Sequence, residues 1–115
     1  MAKIYLEKLS TLVETLKLEN DTTAILESKH FFSGAALYAD KKIFASWIPA
    51  GLAFKLPEAE VEKLIKSGKA KPLKYFEKGR IKKGYSLFET PEQSRPQRWK
   101  SYFLKSLKEV GAFHE

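Results

Sequence analysis

The stretch from Lys29 to Ile48, KHFFSGAALYADKKIFASWI, constrains this chain more than any other. It reads as two apolar strands joined by a tight polar turn at Asp40-Lys41-Lys42. Small residues, Ser33, Gly34, Ala35 and Ala36, crowd the first strand where bulkier side chains are expected. A glycine inside a strand marks a bulge or the close approach of another backbone. The run therefore predicts a helix lying unusually near the sheet, and a small-ligand pocket beneath Ser33 to Ala36 is the alternative use of the same space. An anion cradle at Gly34 is the weaker reading, because no helix N-terminus follows it.

Around this pair the chain falls into order. Tyr5, Leu9, Leu12, Val13 and Leu16 recur at helical spacing, predicting a helix over about residues 3–18 that ends at Asn20-Asp21-Thr22-Thr23. The segment Thr23 to Lys29 reads equally as a short helix or an approach to the sheet. The second strand, with Ile43, Phe44, Ala45, Trp47 and Ile48, is apolar on both faces and so is expected to be central. After Pro49-Ala50-Gly51, a third strand alternates Leu52, Phe54 and Leu56 against Lys55. Three neighbouring strands with short connections imply an antiparallel meander.

Pro57 at a first helical position, Glu58 and Glu60 in the first turn, Lys63 and Lys66 in the last, and Gly68 after it together define a second helix. Pro72 to Glu77 and Tyr85 to Glu89 read as fourth and fifth strands around a glycine-bracketed turn, Lys78 to Gly84. A final helix over about 97–110 carries the stripe Trp99, Phe103, Leu107 and Val110, with Tyr102 beside it. Rings at helical spacing bury large areas on folding, so this stripe is read as core. The expected order is α-β-β-β-α-β-β-α, an α+β domain of about five antiparallel strands with helices packed against them.

At 115 residues the chain is expected to form one domain spanning 1–115 with a proper core. With no cysteine, disulfides, thiolate zinc sites and thiol nucleophiles are excluded. No apolar run approaches a membrane span and the N-terminal stretch lacks a signal-peptide core, so the default expectation is a cytoplasmic protein. His30 and His114 suggest no metal or acid–base pair, no serine sits in a nucleophile elbow, and no phosphate-binding glycine loop occurs. The expectation is therefore no catalytic residue, no cofactor and no metal site. Net charge is +7, and between Lys66 and Lys83 eight basic residues face a single acid, Glu77. Such an imbalance either solvates a surface or attracts a polyanion.

Several short motifs carry a family resemblance. Phe31-Phe32-Ser33-Gly34, Ala36-Leu37-Tyr38, Asp40-Lys41-Lys42 and Phe44-Ala45 are similar to the Met-Phe-Gly-Gly, Gly-Leu-Tyr, Asp-Gly-Lys and Phe-Ala pattern of the TfoX/Sxy N-terminal domain family. Gly51 to Lys55, then Gly68 with Pro72-Leu73-Lys74-Tyr75, and finally Trp99 continue it, so that it covers residues 31–99. Ser33, Ala36 and Lys41 replace glycines of the pattern, and Lys41 disfavours positive φ, which implies a different turn type. The resemblance implies a sandwich with an antiparallel sheet and a link to bacterial transcription and competence regulation. It supplies no catalytic residues, and it implies a stand-alone member, because the regulators' second domain would not fit in this length.

Two functional readings follow. The first is a non-enzymatic regulatory or adaptor domain acting through protein contacts, as a homo-oligomer or with an unidentified protein. The second is a nucleic-acid-binding module in which Lys71, Lys74, Lys78, Arg80, Lys82 and Lys83 contact phosphates while Tyr75 and Tyr85 stack on bases. Binding of that kind weakens steeply with salt.

Overall fold

A computed structural model describes residues 3–74 and 81–112, with Lys82 described by its main chain alone. Helix α1 (Lys3–Leu16) is followed by a 3-10 turn (Leu18–Asp21) and four strands, β1 (Leu26–Phe31), β2 (Gly34–Ala39), β3 (Lys42–Ile48) and β4 (Gly51–Lys55). Helix α2 (Glu58–Lys66) precedes β5 (Lys71–Leu73) and β6 (Lys82–Phe88), and two 3-10 turns (Pro91–Gln93, Pro96–Trp99) lead into α3 (Lys100–Glu109). The six strands form one sheet in the order β1-β2-β3-β4-β6-β5, antiparallel throughout. The α+β architecture is as expected, with one strand more. No helix among the described residues is long and apolar enough to cross a membrane.

The additional strand is β1. Its sequence LESKHF has no apolar alternation because it is an edge strand, with Lys29 and His30 exposed, and the expected first strand therefore runs across what is a turn at Phe32-Ser33. Two other boundaries also move. Lys82 to Gly84, expected in a turn, begin β6. The expected fourth strand reduces to β5 among the described residues, and its remainder from Tyr75 to Glu77 lies outside them, as does the Lys78 to Arg80 part of the expected turn.

Two local features explain the central strands. In the β2–β3 ladder Leu37 faces Ala45 while Tyr38 faces Ile43, so Phe44 is a bulge residue. The bulge lets adjacent Phe44 and Ala45 both join the helix-side core, which is why β3 reads as apolar without alternation. Gly34 marks a close approach of backbone: a Cβ there would lie 2.2 Å from the Trp47 carbonyl oxygen and 2.7 Å from Ile48 Cα. The helix expected near the small residues is α1, which packs chiefly on β2 and covers fully buried Ala35. Protein atoms thus fill the space proposed for a ligand beneath Ser33 to Ala36.

The β2–β3 turn departs from expectation. Asp40 and Lys41 have φ of 47° and 70°, so the two-residue loop keeps both left-handed positions even with lysine in place of glycine. Asp40 makes this possible: its carboxylate accepts from Ile25 N–H at 2.8 Å and its own N–H donates to Ile25 O at 3.0 Å. Helix α2 ends as predicted at Gly68 (φ 77°), where Gly68 N–H bonds Ile65 O and Lys69 N–H bonds Leu64 O in a Schellman motif.

The main core lies between the sheet and the helices. Leu9, Leu12 and Leu16 of α1, Val61 and Leu64 of α2, and Phe103 and Leu107 of α3 pack onto Leu37, Phe44, Leu52, Phe54 and Phe88. A second, strand-only cluster of Ile48, Ala53, Leu73, Tyr85 and Leu87 occupies the opposite face. Replacing Gly34→Ala is expected to cost about 3 kcal/mol by overpacking against β3, whereas Lys41→Gly gains about 1 kcal/mol by releasing left-handed strain. Urea midpoints of the two variants measure both, and an unchanged Gly34→Ala midpoint contradicts the close approach.

Candidate functional site

Proline placement shapes the one feature of the surface that departs most from a smooth covered core. Thr90 turns left-handed (φ 49°), Pro91 opens one short 3-10 turn and Pro96 opens the next, so the chain crosses α1 without forming a long helix of its own. Trp99, 2% exposed, fastens the end of this segment in the core. A cleft of 420 Å³ remains between the two, walled on the α1 side by Ile4, Glu7, Thr11 and Thr15 and floored by Leu12, Trp47 and Trp99. A second cleft of 510 Å³ adjoins it, sharing Trp47, Pro91 and Glu92 and adding Tyr5 and Glu89.

Glu92 lines both clefts, and its partner Lys8 lines the first. Lys8 Nζ donates to Glu92 Oε2 at 2.8 Å and stands 5.6 Å from the Trp47 ring centre and 5.7 Å from that of Tyr5. Hydrogen bonding from Lys8, joined by a backbone hydrogen bond, holds the Glu92 carboxyl below its ordinary value. The arrangement is a cation held by rings and a carboxylate, chemistry that suits recognition of charge beside an apolar surface.

The basic residues singled out from the sequence are distributed differently. Lys71, in β5, pairs with Glu89 at 3.1 Å, so part of its charge is already matched. Lys74 follows β5 and Lys83 lies in β6, both exposed. Lys78, Arg80 and the Lys82 side chain lie outside the described residues, as does Tyr75. Tyr85 is 3% exposed within the strand-only core, so it is not available to stack on a base. His30 is exposed on β1, and His114 falls outside the described residues. Among the described residues no group of three or more His, Cys, Asp or Glu side chains could hold a metal. The buried hydroxyls of Ser46, Ser86 and Ser106 have no hydrogen-bond partner among the described residues.

A different surface lies at the β1 edge. The Asp40 N–H to Ile25 O bond fixes the alternation of this ladder, so Glu27, Lys29 and Phe31 exchange main-chain bonds with β2. Main-chain groups of Leu26, Ser28 and His30 therefore point to the outer side. At the end of the strand Phe32 adopts φ 52° and is 56% exposed, its ring edge-on to Phe31 at 4.5 Å. Ile25, at the other end, is 70% exposed.

Comparison with known proteins gives one positive finding. The model of the TfoX N-terminal domain matches residues 22–110. No curated protein matches the chain. The match takes in the whole sheet, α2 and α3, while α1, one wall of the cleft, precedes it.

The depressed Glu92 carboxyl sets a sign for pH dependence. A lowered native value favours the folded state at neutral pH, and that contribution is lost as pH falls through the lowered value, below the ordinary 4.5. Glu92→Gln is expected to lower stability at neutral pH by less than about 1 kcal/mol, because the pair is solvent-screened. Urea melts of both proteins from neutral pH to about pH 3 should show the difference closing on acidification; a difference that widens contradicts the sign.

Proposed function

Because the chain belongs to the TfoX N-terminal domain family, we propose that it is a non-enzymatic regulatory domain that acts through protein contacts at the β1 edge, in the transcriptional control of competence with which that family is associated. The observation carrying this reading is Phe32. A bulky L-residue in the left-handed region costs about 1–2 kcal/mol; Phe32 bears that cost in the two-residue turn between β1 and β2, and strain of this kind clusters at functional sites. Here the strained residue also presents an aromatic ring to solvent, and rings are what protein interfaces concentrate.

The two sheet edges differ in a way that favours β1. Strand β5 is three residues long and contains Pro72, which lacks an N–H to donate. Strand β1 is six residues long and pairs with β2 alone among the described strands. Adding a strand from a partner, or from a second copy of this chain, would satisfy the outward main-chain groups and cover Phe32 and Ile25.

Phe32→Gly tests the reading, because relief of the left-handed conformation offsets the lost ring contact and holds stability within about 1 kcal/mol. Sedimentation over a concentration series and capture of proteins from lysate are expected to show wild-type association that the variant loses. A wild-type protein that stays monomeric and retains no protein, or a variant that associates equally well, overturns it.

A further inference from the structure

The 420 Å³ cleft beside α1 is acidic in a protein whose net charge is +7. Two carboxylates line it, Glu7 and Glu92, against one ammonium, Lys8. Lys8 is matched by Glu92 at 2.8 Å, whereas Glu7 has no hydrogen bond or ion pair among the described residues. The floor beneath is apolar, made by Leu12 and the two indoles, which are 7% (Trp47) and 2% (Trp99) exposed. Lys8 itself shows what such walls accept: an ammonium near 5.6 Å from an indole centre with a carboxylate at hydrogen-bond distance.

We propose that this cleft binds an amphipathic organic cation, a small molecule with an apolar ring or branched body and one ammonium group. The apolar body covers the indole floor, and the ammonium neutralises the carboxylate that Lys8 leaves unmatched. An organic anion of the same shape meets Glu7 and Glu92 with Lys8 already engaged by Glu92, while Arg98, 4.6 Å from the Trp99 ring centre, already donates to Ser94. The volume lies within the range of small-molecule sites, about 300–1,000 Å³. The site is independent of the β1 edge, and its wall from α1 lies outside the residues that match the family.

The test follows the indole N–H resonances of Trp47 and Trp99 while the protein is titrated with 2-phenylethylamine, and separately with 3-phenylpropanoate, which keeps the ring and inverts the charge. The amine is expected to shift these resonances saturably and to bind at least about tenfold more tightly than the carboxylate, a difference of about 1.4 kcal/mol. Glu7→Gln should weaken amine binding about fivefold, and Glu7→Lys should invert the preference; Glu7 is exposed and has no hydrogen bond or ion pair among the described residues, so both variants should fold. Equal binding of the two probes, an unchanged affinity in Glu7→Gln, or no saturation by about 10 mM, weaker than the about −0.3 kcal/mol per atom expected of a fitted ligand, overturns the proposal.

Discussion

The Phe54 ring in β4 meets rings from three other elements: Phe88 of β6 at 6.0 Å, Trp99 before α3 at 6.0 Å, and Tyr102 and Phe103 of α3 at 5.5 and 4.8 Å. Phe88 closes the network on Trp99 at 5.1 Å and on Tyr102 at 4.8 Å. Offset and edge-on ring pairs contribute about 0.5–1.5 kcal/mol each beyond buried area, and here they converge on one residue in the middle of the sheet. The consequence is mechanical. The last helix is seated by the strand that begins the second half of the sheet, so the C-terminal part of the chain completes a core laid down by residues about fifty positions earlier.

Polar contacts then set the helices relative to one another. Lys100 donates to Leu16 O at 2.6 Å and pairs with Asp21 at 2.7 Å, so α3 supplies a cation to the negative end of α1. Lys105 pairs with Glu60 of α2 at 2.7 Å while its ammonium stands 5.8 Å from the Tyr102 ring. Arg98 stacks over Trp99 at 4.6 Å and donates to Ser94. Lys100 and Lys105 at the rim of the last helix thus tie it to its neighbours, and Arg98 braces the turn that leads into it.

Much of this was legible because local and tertiary demands agree. The Trp99–Leu107 stripe is core, α2 carries its own start and stop signals, and the Leu52–Phe54 alternation points at the helices, as the pattern required. Strand β1 was hidden by its position: an edge strand satisfies half its main chain in water and needs little apolar patterning. Residue preference at Lys41 alone favours another turn, and the deciding bonds join Asp40 to Ile25, fifteen positions away. The cleft was illegible for a related reason. Lys8 and Glu92 are 84 residues apart, and the prolines at 91 and 96 by themselves say only that the segment between β6 and α3 is not one long helix.

If the Phe54 cluster joins sheet and last helix into one cooperative unit, the two must unfold together. In a Trp47→Phe background Trp99 is the sole remaining indole, so its fluorescence reports the seating of α3 while far-ultraviolet circular dichroism reports the whole backbone. Urea unfolding of this protein and of its Phe54→Leu derivative gives the decisive comparison. The account predicts coincident transitions in both, displaced together by about 2 kcal/mol. A Trp99 transition that precedes the loss of backbone signal would contradict it, because the helix would then leave a sheet that stands without it.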